Sequence, residues 1–346
     1  MKLVIQIPCF NEEQTLPQTI RDLPKSIQGI DVVEILVVDD GSTDRTVEVA
    51  RSCGVRHILS LGTNRGLGRA FSKGLEKAVL LGADVVVNTD ADNQYVGADV
   101  AKLVEPILQH HADMVVGCRP IISHPEFSPL KKTLQLLGSW TLRLLSKTSV
   151  RDAASGFRAF SREACKRLVI YSRFSYCTET LIQAGNSQLR VDSVDIRVNP
   201  TTRQSRLFKS LPEYLWKSGS TMVTMFVHYR PSLFFGLLSA VNLACAAFIG
   251  LRFLYLVYLT PISAAGHRTY LPSLILLAIL ATFGAGLAAL AVIAELLRGN
   301  RLLIEEIVYQ LRRLAAERSS NVPASSQNEH PAEKTQAAIQ DHPPFH

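Results

Sequence analysis

"DVVVNTDADNQY", residues 84–95, runs a β-branched apolar stretch directly into the carboxylates Asp90 and Asp92 and the amide Gln94. The apolar half reads as a buried strand, and the polar half crowds the point where that strand reaches solvent. Carboxylates held this close repel and raise each other's pKa, so their clustering calls for something positive at the strand end.

The same rhythm recurs along the first two hundred residues. "KLVIQI" (2–7), "EILVVDD" (34–40) and "DMVVGC" (113–118) are further short strands, with helical patterns near 12–24, 43–53, 66–81 and 97–111. Strands alternating with helices predict an α/β domain with a mostly parallel sheet covered on both faces. In such sheets ligands bind beyond the carboxyl ends of the strands, which is where "PCFNEE", "DDGSTD", "TDADNQ" and "GCR" fall.

Each cluster has its own chemistry. Ser42 or Thr43 can cap the helix after "DDGSTD", which leaves Asp39 and Asp40 to accept hydrogen bonds from a base N–H or ribose hydroxyls. "TDADNQ" offers hard oxygen ligands at alternate positions, a pattern suited to Mg²⁺ or Mn²⁺ shared with a diphosphate. Arg119 follows a strand, and "DAASGFRAF" presents Ser155, Gly156 and Arg158 in a small-residue turn. The planar guanidinium fork suits phosphate oxygens. "RGLGRA" (65–70) departs from the dinucleotide-binding spacing, so Gly66 and Gly68 read as helix-start and packing residues.

The chain's 346 residues exceed one such core, and the surplus is apolar. Residues 232–251 and 271–294 carry no charge and are each long enough to cross a bilayer as a helix. Lys209, Lys217 and Arg230 precede the first span, and Arg298, Arg301, Arg312 and Arg313 follow the second. The intervening loop offers little beyond Arg268, with Arg252 snorkelling from the span's end, so the positive-inside rule places both termini in the cytoplasm. Ser210 and Glu213 fit a capping box, and Leu207, Leu211, Tyr214 and Leu215 recur at helical spacing, which predicts an interfacial helix with Arg203 and Arg206 at headgroup depth. "LKKTLQLLGSWTLRLLS" has the same character, with Lys131, Lys132 and Arg143 beside Leu134, Leu137 and Leu144.

The expected organisation is a catalytic domain (1–204), interfacial helices (205–230), two transmembrane helices (231–297), a cytoplasmic helix (298–318) and a disordered Pro/Ser/Gln-rich tail (319–346). Ala281, Gly284, Ala285, Ala288 and Ala289 would let the second span approach the first or a second copy, so a homo-oligomer stays open. The short apolar start turns acidic by Glu12 and does not read as a signal peptide. The six cysteines lack metal-site spacing and read as small core residues. The net charge of +7 gathers around the spans without a nucleic-acid motif, pointing to membrane lipid and away from nucleic acid.

"IPCFNEE", "VVDDGSTDRT", "NTDADNQ" and "DAASGFR" in this order resemble a family-two glycosyltransferase with the GT-A, Rossmann-like fold. With two C-terminal spans, the resemblance narrows to the type of dolichol-phosphate mannose synthase and bacterial polyprenyl-phosphate glycosyltransferases, over residues 1–300. It implies that Asp90 contacts the nucleotide sugar, that Asp92 and Gln94 hold Mg²⁺ or Mn²⁺, and that Pro8, Glu12, Asp39 and Asp40 border base and ribose. It implies a UDP- or GDP-hexose donor and a polyprenyl phosphate acceptor, met by Arg119, Ser155, Arg158, Arg203 and Arg206, with inversion at the cytoplasmic face of a bacterial inner membrane.

A phosphate is largely ionised at neutral pH and needs no strong base, whereas a lipid hydroxyl acceptor would need one, with Glu179 as the base. A processive polysaccharide synthase is disfavoured because its QxxRW segment is absent. The non-enzymatic alternative is a nucleotide-sugar-binding membrane scaffold.

Overall fold

A computed structural model describes residues 1–120, 139, 142–143, 146, 148–170, 176–200, 219–220, 223–224, 226–227, 229–258 and 270–321. Seven strands form one sheet in the order β3-β2-β1-β4-β6-β5-β7. They are β1 (Lys2–Cys9), β2 (Val32–Asp39), β3 (His57–Ser60), β4 (Val85–Asn88), β5 (Met114–Cys118), β6 (Arg158–Ser161) and β7 (Val191–Asp195). The central β1 pairs in parallel with β2 and β4, and β6 alone runs antiparallel, between β4 and β5.

The helices are α1 (Leu16–Asp22), α2 (Thr46–Ser52), α3 (Leu67–Leu80), α4 (Val100–Leu108), α5 (Arg162–Arg167) and α6 (Tyr176–Asn186). They cover both faces of the sheet, as alternation along the strands requires. Val4, Val38, Val86 and Val116 point to one core with Phe71 and Leu75 of α3 and Ile182 of α6. Ile5, Val37, Val87 and Val115 point to the other, with Leu16 of α1 and Leu103 and Ile107 of α4.

Two further helices, α7 (Pro231–Tyr258) and α8 (Leu271–Asn321), are long and apolar enough to cross a membrane. Phe248 and Phe283 are 70% and 60% exposed, as lipid-facing side chains would be. The two helices pack closely where Ser239 Oγ donates to the Gly284 carbonyl at 2.7 Å. A Cβ on Gly284 would meet Leu243 at 2.8 Å, so this glycine admits the neighbouring helix. Ala285, Ala288 and Ala289 are exposed and take no part in that contact.

The separate cytoplasmic helix expected over 298–318 is continuous with the second span in the structure. The lone Gly299 costs only about 1 kcal/mol relative to alanine and does not break the helix. Ion pairs Arg298–Glu295, Arg301–Glu305 and Arg313–Glu317 run along this stretch at helical spacing. Residues 201–218, most of the expected interfacial segment, and 322–346, most of the expected tail, lie outside the described residues, as do Lys131 and Lys132.

Candidate active site

The carboxyl edge of β1, β2 and β4 forms the floor of the site. Pro8 sits in the central strand opposite Val38. Its neighbour Cys9 turns its carbonyl toward β2, accepting from Asp40 N, so Pro8 faces the β4 side. Pairing there has already ended at Gln6–Asn88, and the missing N–H leaves no gap in the ladder. Asn11 and Asn93 follow with φ of 57° and 55°, a left-handed backbone that asparagine tolerates, and turn the two loops over the sheet edge.

Asp90 and Asp92 lie just past β4, both half-buried. Asp92 Oδ1 accepts from Gln94 N at 3.1 Å, and Asp92 lines a cleft of about 860 Å³ with Glu12, Glu13, Asp44, Asn93 and Asn199. Burial and the neighbouring Asp92 push the Asp90 carboxyl up to about 7. Gln94 is fixed through its backbone, its carbonyl accepting from Asn199 N at 2.8 Å.

Among the described residues no group of three or more His, Cys, Asp or Glu side chains is arranged to hold a metal. Mg²⁺ commonly takes one or two carboxylates and completes its shell with substrate phosphates and water, so the pair Asp90 and Asp92 fits such an ion. Its charge would relieve the repulsion that raises Asp90.

The residues expected to border base and ribose hold the loops together. Glu12 is buried and accepts from Thr15 Oγ1 at 2.7 Å, while its N–H donates to Thr46 Oγ1 at 2.8 Å. Asp39 accepts from Ser42 N and Ser60 Oγ, at 2.9 and 2.8 Å, and Asp40 from Arg65 N and Gly66 N, at 2.8 and 2.9 Å. Neither Ser42 nor Thr43 caps α2: its N-cap residue is Arg45, and Asp44 Oδ1, one residue earlier, accepts from Thr46 N at 3.0 Å. Asp39 and Asp40 therefore hold the loops that follow β2 and β3.

Arg119 and Arg158, two of the four arginines expected to meet a phosphate, part company. Arg119 lies beside the site, its side chain 12% exposed, with Nε and Nη2 on Asp152 at 2.7 and 3.1 Å. Asp152 thus orients Arg119.

Arg158 is fully buried on β6. It donates to the carbonyls of Ser155, Cys177 and Ala153 at 2.8, 2.8 and 2.7 Å and to Thr180 Oγ1 at 2.6 Å. Where the resemblance implied a phosphate ligand, the guanidinium clamps the 153–155 turn to α6. Ser155 Oγ is buried without a hydrogen-bond partner among the described residues. Arg203 and Arg206 lie outside the described residues. Glu179 is 2% exposed, its Oε1 3.8 Å from Arg301 of α8.

A buried network that none of the strand-end motifs marks lies beneath Asp90. Gln6 Nε2 donates to Asn88 Oδ1 at 2.9 Å, and Asn88 Nδ2 donates to the Gly156 carbonyl and Tyr176 Oη at 2.9 and 2.8 Å. Gly156 N donates to Tyr95 Oη at 3.1 Å, and Tyr176 stacks on Phe71 with centroids 4.0 Å apart. Gln6 within "KLVIQI" and Asn88 directly after three valines are the polar residues that mark it.

Gly156 is held on three sides. A Cβ there would lie 2.6 Å from Tyr176 Oη and 3.1 and 3.2 Å from the Asp90 carboxylate oxygens. Gly156→Ala is expected to displace Asp90, destabilise the protein by about 1–3 kcal/mol and weaken nucleotide binding, as read by thermal melting and a nucleotide titration.

An α/β sheet whose carboxyl edge gathers paired carboxylates and an ion-paired arginine places a ligand site beyond its strand ends, in a GT-A-like architecture. The family model for glycosyl transferase family 2 matches residues 4–169. A UDP-N-acetylglucosamine–dolichyl-phosphate N-acetylglucosaminyltransferase of Methanococcus voltae is 34% identical over 214 residues, covering 55% of this chain and 83% of that protein. An undecaprenyl-phosphate mannosyltransferase of Micrococcus luteus is 29% identical over 174 residues, 49% of this chain and 70% of that one. A crystal structure of glucosyl-3-phosphoglycerate synthase from Mycobacterium tuberculosis with Mg²⁺ and UDP has a TM-score of 0.49 at 21% identity, over 65% of this chain and 78% of that one. The chain belongs to glycosyl transferase family 2.

Proposed function

We propose that this glycosyltransferase moves a hexose from a nucleotide-diphospho-sugar to a polyprenyl phosphate at the cytoplasmic membrane face, with inversion, giving a polyprenyl-monophosphate sugar. The observation that carries the reading is the joining of two features in one molecule. Asp92, two residues beyond Asp90 at the end of β4, lines a cleft in a domain that is bonded to a membrane-length helix through Arg301 and Arg312. The relatives that act on dolichyl phosphate and undecaprenyl phosphate support the acceptor class.

Asp92 and Gln94 would hold Mg²⁺ or Mn²⁺, as the sequence resemblance implies, with Asp90 toward the nucleotide sugar, and such an ion offsets the negative charge of a departing nucleoside diphosphate. The loops held by Asp39, Asp40 and Glu12 receive the nucleoside. Arg119, kept rigid by Asp152, faces the acceptor phosphate beside Ser155. The phosphate oxygen attacks the anomeric carbon from the side opposite the diphosphate, and no residue has to remove a proton first.

The test is transfer of label from UDP- and GDP-sugars to undecaprenyl phosphate by the purified full-length chain with Mn²⁺. An acid-labile glycolipid that EDTA abolishes is expected. Donor hydrolysis without lipid product would overturn the phosphate-acceptor reading in favour of a lipid hydroxyl. Nucleotide-sugar binding without any turnover would favour a scaffold.

A further inference from the structure

The water-side half of α8 is tied to the catalytic domain along one face. Arg301, Glu305, Tyr309 and Arg312 recur at steps of three and four residues and so share one side of the helix. Arg301 lies over the Tyr229 ring at 4.7 Å, donates to its hydroxyl at 2.9 Å and approaches Glu179 of α6 at 3.8 Å. Tyr309 donates to Glu163 of α5 at 2.9 Å under the guanidinium of Arg167, 4.6 Å from the ring centroid. Arg312 donates to Glu76 of α3 at 2.9 Å and to the carbonyls of Cys165, Lys166 and Leu168, which close the C-terminal end of α5.

These contacts have a direction. Arg301, nearest the membrane-length apolar stretch, meets α6, whose first turns touch Gly156 and Arg158 at the carboxyl edge of β4. Arg312, about 16 Å further along the helix, meets α5, which starts beside Asp84 at the opposite edge of the sheet. The helix therefore runs from the site's end of the domain toward its far end.

We propose that α8 is a strut that turns the mouth of the active site toward the bilayer, and that Arg312 is the positioning residue that locks the domain in that pose. Arg312 touches no part of the site. Its contribution is confined to acceptors that the membrane holds at a fixed depth, and this rests on the polyprenyl-phosphate reading. A short prenyl phosphate dissolved in water reaches the cleft in any pose of the domain. Glu76 and the α5 carbonyls reach Arg312 from the two elements packed on that face, so a single substitution releases both.

The experiment uses the full chain in phosphatidylethanolamine–phosphatidylglycerol vesicles, with undecaprenyl phosphate in the bilayer or citronellyl phosphate in solution. Arg312→Ala is expected to lower transfer to undecaprenyl phosphate about tenfold, since small misplacements of reacting groups cost factors of this order, and to change transfer to citronellyl phosphate less than twofold. The exchange E76R/R312E, which restores the ion pair, is expected to recover part of the loss. Equal losses on both acceptors, or no loss on either, would overturn the proposal.

A second readout needs no turnover. Energy transfer from a fluorescent amino acid at Gln18, on the rim of the cleft, to headgroup-labelled lipid is expected to be strong in the wild type and to drop in Arg312→Ala. A weak signal in the wild type, or a signal that Arg312→Ala leaves unchanged, sinks the strut. Absence of transfer to either phosphate, with the energy-transfer result as expected, sinks the acceptor assignment alone.

Discussion

Asp92→Asn is expected to lower the rate of sugar transfer about 1,000-fold while leaving the melting temperature within a degree or two of wild type. The size follows from the several kcal/mol that a divalent ion contributes to a departing diphosphate, at about 1.4 kcal/mol per tenfold in rate. The unchanged stability follows from the geometry. Asp92 is half-buried at the cleft, and the contact its side chain makes is with Gln94 N at 3.1 Å, which an asparagine oxygen reproduces.

The comparison separates two roles for the residue. If Asp92 only shaped the turn, the amide would serve equally well and the enzyme would keep most of its rate. If it holds the ion, the loss of charge removes the function and spares the fold. Initial rates across a Mn²⁺ titration, beside thermal melting of both proteins, read the difference. A variant that is active at ordinary metal concentrations would remove Asp92 from the metal site.

How far the sequence reaches depends on whether a signal is local. β1, β2, β4 and β5 announce themselves as apolar runs, and the two long helices by the absence of charge. β3, β6 and β7 have four or five residues each, as do β4 and β5, but "HILS", "RAFS" and "VDSVD" each mix polar or charged residues with two apolar ones, so no apolar run marks them. The carboxylates Asp90 and Asp92 were legible because residues following a parallel strand fall at the ligand edge. The roles of Asp39 and Asp40 were not, because their partners Ser60, Arg65 and Gly66 lie about twenty or more residues away and meet them only through the fold. Nor does spacing reveal that α8 docks on α3, since Glu76 and Arg312 are 236 residues apart.

Arg119 and Arg158 looked alike for the same reason, and Arg158→Met tests the distinction most sharply. Methionine fills comparable space but cannot donate, so three carbonyls and the Thr180 hydroxyl lose a buried partner at once. An unsatisfied buried group costs about 1–3 kcal/mol, and neighbouring losses do not add in full, so destabilisation of about 4 kcal/mol is expected. That is a large share of the 5–15 kcal/mol typical of a folded domain. The 153–155 turn and the first turns of α6 should loosen together, visible as faster amide exchange confined to those segments before the global transition.

A phosphate ligand would behave otherwise. Its loss would leave melting unchanged and raise the acceptor KM, because the cleft would keep its shape and lose an attractive charge. For Arg158→Met the expected pattern is the reverse, with the fraction that stays folded at low temperature showing a near-normal acceptor KM. Arg119→Met supplies the contrast. It leaves Asp152 buried and unpaired, which also destabilises, but its guanidinium lies beside the site, so the acceptor KM should rise in the protein that remains folded. A stable Arg158→Met protein with a raised KM would return that arginine to the acceptor site and require α6 to open during the reaction.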